Sequence, residues 1–594
     1  MKNGSMVPTV SRILPGLAFS AILLCAQAID SNLVGTVTDS SGAAVPKSQV
    51  TATNKDTGVK YNASTDGAGQ YRINHLAVGV YDVTAAAQDF APQTTANVSL
   101  QLNHTATANF QLLVATQATS VQVIAAPPPL DLATSQLQIT FDSRTLADVP
   151  ATAAGSGYLN LSLLGAGVAS SGGLGLGYGP SIGGQRPSNN RFYVDGVDQS
   201  SYFATGPLAF VSNEAVSEFT VLQNQFSSQF GGASGGIFNA VVKSGGSQFH
   251  GALYEYLQNR NLNALDAAQV HNRYTSVPRF DSNRLGATVG GPIVKNKLFY
   301  FGDFEYDPTG YAVSPAATVF APTAAGYQIL DNLSGISKTN LQVLQTYLPA
   351  APSATGSTAV SKTAIPIGPL SIIAPSYQNA YRALGSVDWN ISDRDQVRGR
   401  YIYSRFSGLD TSASLPIFFV TAPSNTHLIS LSEFHAFSGT AENELRLAYS
   451  RNDSRKTAGN FSFPGLDSFP TLTFQDLQFQ LGPDVNVPNG QIQGELQAVD
   501  ALTKTWGRHT LTTGYEFHDV IMTSSFVSYP RGNYWYSSLD QYLGDRTPDV
   551  FGQRTLGTTG PMVNGNPVGF LQNGAFANDD FRVRPNLTLN LGVR

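Results

Sequence analysis

The chain has 594 residues, and Lys+Arg 35 against Asp+Glu 40 leave a net charge of −5, so there is no basic excess to neutralise nucleic-acid phosphates. Charged residues are only 13 %, about half the usual ~25 % of a soluble domain, while 42 % apolar and 10 % aromatic residues exclude charge-driven disorder. One cysteine excludes a disulfide scaffold and a thiolate zinc cluster; few charges with 25 Tyr and 33 Phe suit β-structure that meets something other than water.

Residues 1–28 read as a cleaved secretory signal. Lys2 and Arg12 precede an apolar stretch from Ile13 to Leu24, and Ala26-Gln27-Ala28 supplies the small residues of a signal-peptidase site. The stretch is shorter than the ~20 residues of a membrane-spanning helix. Leu24 before Cys25 argues against lipid attachment, so Cys25 is expected to leave with the leader. No later apolar run reaches spanning length, so a membrane role would fall to β-strands.

Residues 31–115 predict a small β-sandwich. Strand signals at Leu33 to Asp39, Val50 to Thr53, Tyr71 to Ile73, Tyr81 to Val83 and Val98 to Leu102 are separated by turn clusters such as Asp56-Thr57-Gly58 and Asp66-Gly67-Ala68-Gly69. The series Gly35-x-Val37-x-Asp39, Gly42, Val45-Pro46, Asp66-x-x-Gly69-x-Tyr71, Leu76-x-x-Gly79-x-Tyr81 and Phe90 resembles the carboxypeptidase regulatory-like domain. That resemblance implies a transthyretin-like fold grouped with carbohydrate-binding-like domains. Tyr71, Tyr81 and Phe90 have two readings, a sugar-stacking platform or core packing, and core packing is the expected one. No zinc-peptidase constellation accompanies them.

Residues 117–246 have a different texture. Val121-Gln122-Val123-Ile124 is a short extended stretch before the stiff Pro127-Pro128-Pro129. The segment from Gly155 to Gly184 is dense in glycine but lacks the Lys-Ser/Thr ending of a phosphate loop, which predicts a loose loop. Arg191 to Val194 alternates and ends at Asp195-Gly196, a strand entering a tight hairpin; Asp195 and Asp198 lack the pattern of a calcium loop. In order come Asn189-Asn190…Asp195-Gly196-Val197, Phe230-Gly231…Gly235-Gly236, Lys243-Ser244-Gly245 and Phe249-His250-Gly251. These four elements resemble the plug and first barrel strand of TonB-dependent outer-membrane receptors, in the Oar-like branch, with Val242 where Thr is usual.

Residues 247–594 are expected to form part of an outer-membrane β-barrel with long extracellular loops, so the fold class is mainly β: sandwich, plug and partial transmembrane antiparallel barrel. Such strands alternate apolar-out and polar-in. Tyr300, Phe304 and Tyr306 oppose Asp303 and Glu305; Val387, Trp389 and Ile391 oppose Ser386, Asp388 and Asn390. Val397, Tyr401 and Tyr403 oppose Arg398 and Arg400; Leu445, Leu447 and Tyr449 oppose Glu444, Arg446 and Ser450. Leu511, Thr513, Tyr515 and Phe517 oppose Glu516 and His518, and Leu587, Leu589, Leu591 and Val593 oppose Thr588, Asn590 and Arg594. The charged groups are expected on the lumen face. Short turns such as Lys295-Asn296-Lys297 alternate with long connections from Asp307 to Tyr381 (roughly 75 residues), Asp453 to Gly494 and Ile521 to Gly574, far beyond the ~12–15 residues of an ordinary loop. Roughly eleven or twelve strands follow Phe249, against about 22 in plugged transporters. The chain stops inside a strand at Arg594, so a piece of a longer protein is expected.

No catalytic constellation is present. His427 and His435 lie about 26 Å apart along one strand and cannot share a metal, and His250 and His518 belong to turns or the barrel interior. The expectation is a non-enzyme with no cofactor and no metal site.

The resemblance implies import through the outer membrane powered by the inner-membrane proton gradient. A leader exports the chain and its N-terminal domain lies in the periplasm. Its partners are a TonB-type energy-transducing protein, outer-membrane lipid and an unidentified extracellular ligand (siderophore, glycan or peptide), with no nucleic acid. Val121, Gln122, Val123 and Ile124 are either the TonB-contact segment, by strand addition, or a linker strand. Arg186, Asn189, Asn190, Asp195 and Gly196 form a polar plug framework that either meets ligand or locks the plug to the wall. Two other readings stay open: a structural or adhesive outer-membrane protein displaying the carbohydrate-binding-like domain, and a soluble secreted sugar-binding protein of tandem sandwiches.

Overall fold

In a computed structural model the chain is described over residues 31–115, 121–124, 135–149, 157–170, 180–202, 206–224, 226–265, 267–271, 273–313, 318–524, 529–552, 567–584 and 587–594. The leader, the Pro127–Pro129 stretch and the Gly172 to Gly177 run lie outside these residues.

The N-terminal domain is a two-sheet sandwich. Ser31–Asp39 pairs with Gln70–Leu76, Thr105–Thr107 and Phe110–Leu112. The facing sheet orders Lys60–Ser64, Gln49–Asn54, Gly79–Ala86, Gln93–Leu100 and Val121–Ile124. Period-two alternation buries Leu33, Val37, Val50 and Val83 between the sheets. Tyr71 and Tyr81 are core residues. Their hydroxyls donate to the Ala108 carbonyl at 2.6 Å and the Ala77 carbonyl at 2.8 Å, and Phe90 packs against the same cluster. A buried ring with its hydroxyl committed offers no face to a sugar.

A second, inner domain is a mixed five-stranded sheet in the order Leu137–Asp142, Val216–Asn224, Ile237–Val242, Arg191–Val194 and Val197–Asp198. Its apolar residues, Phe141, Phe192, Phe219 and Phe238 among them, share one cluster with Phe301, Leu384, Ile402, Leu428 and Ala448 of the surrounding wall. The described part of the glycine-dense segment is less loose than its composition predicts. Gly157–Leu164 forms a helical stretch that buries Tyr158, Leu159 and Leu161, because these apolar side chains have a core to enter.

The wall is a single antiparallel sheet of eleven strands in chain order. The strands are His250–Asn259, Phe280–Val294, Leu298–Val313, Ala374–Asn390, Asp395–Asp410, Val420–Ser438, Ala441–Lys456, Asn489–Trp506, His509–Ser524, Pro567–Arg584 and Leu587–Val593. They are named first to eleventh below. The wall curls around the inner domain, and no pairing joins the first strand to the eleventh among the described residues. All six expected alternations occur, with charged and polar positions turned to the inner domain. No helix among the described residues is long and apolar enough to cross a membrane.

Two expectations are corrected. The outward face is not free of charge; it carries charges at its two ends. On the fifth strand the outward series Val397, Gly399, Tyr401 and Tyr403 is bounded by Asp395 and Arg405, and on the ninth Leu511 to Phe517 is bounded by His509 and Asp519. Each spacing is about 33 Å along the strand, or ~25 Å along the barrel axis at a tilt of ~40°, the height of an outer-membrane apolar band. The second correction concerns the long connections. The third strand runs to Val313 and the fourth starts at Ala374, so pairing continues beyond the band and the connection is shorter than expected.

The long connections fold together into a cap. It holds a three-stranded sheet (Val319–Pro322, Gly356–Val360, Thr363–Leu370), a four-stranded sheet (Thr471–Phe474, Phe479–Leu481, Asn533–Tyr536, Val550–Gly552) and helices Ala324–Asn332, Lys338–Tyr347 and Leu539–Leu543. Leu344, Phe418, Phe474 and Leu543, from four different connections, lie in one buried cluster. Buried Arg531 ties the connection after the ninth strand to the one after the seventh by donating to the carbonyls of Phe469, Pro483, Asp484 and Val487.

Candidate functional site

The hairpin after Arg191–Val194 turns through Asp195 (φ 46) and Gly196 (φ 69), the left-handed pair of a two-residue turn that Asp-Gly favours. The turn aims the Asp195 carboxylate two ways. Oδ1 accepts the Val242 backbone N–H at 2.9 Å inside the inner sheet, and Oδ2 accepts Nε of Arg400 on the fifth strand at 2.7 Å. Arg400 also meets Asp388 of the fourth strand at 2.8 Å, and the three side chains are only 5 to 14 % exposed. One buried cation thus serves two carboxylates from two domains. Beside it, the Gly196 carbonyl accepts from Arg446 of the seventh strand at 2.8 Å, and Glu444 pairs with that guanidinium.

Past the turn, the inner chain follows the eighth strand. Gln497 accepts from the Asp198 N–H at 3.0 Å and donates to the Asp198 carbonyl at 2.7 Å. Gln493 accepts from the Tyr202 N–H at 3.1 Å and donates to the Ser200 carbonyl at 3.2 Å. A side-chain amide offers the same donor and acceptor as a peptide group, so this inward row acts as a substitute strand edge. Thr426 donates to the Leu208 carbonyl at 2.8 Å, and Ser212 to Asp303 at 2.7 Å.

Asn190 braces the inner domain internally. Its Nδ2 donates to the Pro180 carbonyl at 2.8 Å and its Oδ1 accepts the Gly236 N–H at 2.9 Å. A Cβ at Gly235 would strike that amide, which accounts for glycine there. Asn189 donates to Gln185 at 2.8 Å. Asn189, Asn190, Asp195 and Gly196 therefore belong to one bonded framework, whereas Arg186 has an exposed side chain outside it.

Beside the contacts of Ser212 with Asp303 and of Glu214 with Tyr256, a cavity of about 1090 Å³ lies between the inner domain and the first four strands, walled by Phe210, Tyr256, Arg284 and Arg382. Arg382 bridges Glu305 and Asp307, the latter at 3.5 Å, and Arg284 lies 3.6 Å from Glu305. Buried His518 points inward, 2.7 Å from Glu495. His427 faces outward and exposed, and His250 is exposed beside the Gln248 carbonyl.

The sandwich seats at the short-turn end. The Leu102 N–H donates to Glu218 at 2.5 Å, and burial there pushes the Glu218 carboxyl up to about 7. Ser247 donates to the Asp56 carbonyl through both N–H and hydroxyl at 2.8 Å. Arg72 lies 4.0 Å from Asp580 and His75 3.9 Å from Glu442. Val121–Ile124 is extended, as expected, but one edge is already taken by parallel pairing to Gln93–Ala96. Sequence reasoning missed this seat and the glutamine row, although Gln491-x-Gln493-x-Glu495-x-Gln497 was there to be read. It also missed that Asp395, Glu433 and His435 gather at the rim within 4.8 Å; His435 is already paired to Asp395 at 2.7 Å.

The family model for the outer membrane beta barrel domain matches residues 241–594, more than half of the chain. The chain belongs to that family. A carboxypeptidase regulatory-like domain matches residues 32–113. This outer-membrane barrel protein is also a homologue of the TonB-dependent transporter Oar of Myxococcus xanthus, 29 % identical over 307 residues. That match spans 50 % of this chain and 29 % of the relative, so the chain covers under a third of it. The outer-membrane transporter YddB from Escherichia coli superposes with a TM-score of 0.51 at 12 % identity, covering 77 % of this chain and 56 % of that one, which places the fold. The siderophore receptor PirA from Acinetobacter baumannii gives 0.48 at 15 % identity over 78 % of this chain and 57 % of that one.

Proposed function

We propose that this chain is the receptor portion of a TonB-dependent importer. Residues 117–246 are its plug, 247–594 are barrel, and 31–115 form a periplasmic domain exported with the rest by the leader at 1–28. The observation that carries this reading is the way the inner domain is held. Buried charge pairs and a glutamine row fix it to the fourth to eighth strands, while toward the first three a cavity lies beside a sparser set of side-chain bonds, Ser212 to Asp303 and Tyr256 to Glu214 among them. A domain held to the wall by discrete polar side-chain contacts, with an open cavity beside it, can be loosened without unfolding the wall. The framework of Asn189, Asn190, Asp195 and Gly196 then locks the plug, and Arg186 is left for other contacts. Val121–Ile124 is the segment that TonB captures, powered by the proton-motive force. The extracellular ligand is a siderophore, glycan or peptide, and no catalytic step is assigned.

The test is deletion of Ser120 to Ala125 in the full-length protein, followed by co-purification with the periplasmic domain of TonB. Capture is expected to be lost while the barrel stays heat-modifiable; undiminished capture discards the assignment. The folded cap favours a second reading, display at the cell surface. Energy-dependent accumulation of ligand separates the two, and the seat of the sandwich at the short-turn end argues against that domain being what is displayed.

A further inference from the structure

The charges at the two ends of the outward face are unevenly spread, with basic residues gathered at the long-connection end of three neighbouring strands. At the short-turn end the charges are mostly acidic: Asp395, Glu433, Asp500 and Asp579 against Lys504. At the long-connection end the fifth, sixth and seventh strands carry Arg405, His427, Arg451 and Arg455 against Asp453, and the ninth carries Asp519. We propose that Arg405 and Arg451, with His427 and Asn425 between them, bind the phosphate groups of an outer-leaflet lipid on the outer wall of the barrel. The proposal rests on membership of the outer-membrane family rather than on the transport reading.

The ladder fixes the site. Arg405 pairs with Asn425 and Asn425 with Asp453; one row nearer the band centre, Tyr403 pairs with His427 and His427 with Arg451. Two strand spacings across and two residues along put the two arginine backbones about 12 Å apart, within reach of one headgroup for side chains of this length. Asp453, the nearest acid, is held by Arg455 at 2.6 Å. Neither Arg405 nor Arg451 has a hydrogen-bond or ion-pair partner among the described residues, and both are exposed. His427 is fixed in place, with Nδ1 2.9 Å from the Tyr401 hydroxyl and its ring 5.0 Å from that of Tyr403.

Arginines at the edge of an apolar band stand at the depth of lipid headgroups, and the guanidinium fork matches phosphate oxygens. The surroundings favour a lipid over a free ion. Directly below the arginines lie outward Ile429, Leu431 and Leu447, all exposed, which supply a surface for acyl chains. Beside Arg405 in the ladder, Tyr381 stacks on Tyr306 at 4.6 Å, an amphipathic pair suited to the headgroup boundary.

The experiment uses the full-length protein extracted from outer membranes in mild detergent, with retained lipid measured by native mass spectrometry. Wild type is expected to retain a phosphorylated glycolipid. The Arg405→Gln/Arg451→Gln variant should retain it about tenfold less, the loss expected from removing charge-assisted hydrogen bonds, and Lys504→Gln should match wild type. On wild-type protein alone, the dephosphorylated form of the same lipid should also bind about tenfold more weakly, a readout independent of whether the double variant folds. Excess inorganic phosphate should leave the lipid in place. Equal retention of the dephosphorylated lipid, or equal retention by a heat-modifiable double variant, overturns the proposal, and so does displacement by inorganic phosphate.

Discussion

Replacing Arg400 with Gln tests how the inner domain is held. The substitution leaves Asp195 and Asp388 facing each other without their shared cation, in a place where these side chains are 8 and 14 % exposed. Breaking a buried pair by removing one partner costs about 3–5 kcal/mol, and at ~1.4 kcal/mol per decade that is about two to three and a half powers of ten in the open population of the hairpin. Asp195→Asn should cost less, ~1–3 kcal/mol, because it keeps an oxygen for the Val242 N–H and leaves Arg400 with Asp388. Hydrogen exchange at the amides of Asp195 and Val242, which close the hairpin onto the inner sheet, measures both. Exchange should quicken most in Arg400→Gln, less in Asp195→Asn, and should recover in part when the two are combined. Unchanged protection in Arg400→Gln, or the reverse order, would refute the argument that this pair holds the domain.

Other outcomes follow from the same structure. Glu218, ordinarily near 4.5, is raised to about 7 by burial, so the seated sandwich holds the proton more tightly than the free one. Seating should therefore be strongest below about pH 4.5 and weaken by ~2–3 kcal/mol as pH rises to about 7; Glu218→Gln should flatten the profile of Leu102 amide exchange between those limits. Arg531→Met should loosen the cap by ~2–4 kcal/mol, seen as faster proteolysis between Phe469 and Asn489 with unchanged heat-modifiability of the barrel. Tyr71→Phe should lower the melting of the sandwich by ~1–2 kcal/mol through loss of the bond to the Ala108 carbonyl, with no effect on glycan binding; altered glycan binding would reinstate the platform reading.

Much of this architecture could be read from residue order because a barrel strand sorts its side chains between two solvents. Tyr300, Phe304 and Tyr306 against Asp303 and Glu305 follow from period two alone. The Asp195-Gly196 turn was equally local. The cap was not, because Leu344, Phe418, Phe474 and Leu543 are far apart in the chain and meet only once the barrel brings its connections together. The same holds for Arg400 and Asp195, whose pairing depends on where the inner domain sits in the lumen. The outward charges were misjudged for a different reason: alternation tells which way a residue faces but not how high it sits, and height decides whether a charge on the oily side is tolerated.

A cap whose connections share one interior cannot be revised one piece at a time. Swapping a single connection for that of a relative would leave the other three with unmatched apolar faces, so natural variation on this surface should arrive in blocks. An antibody raised against the native cap should accordingly fail on any isolated peptide from it, since its epitope is assembled from segments that lie side by side only when all are present.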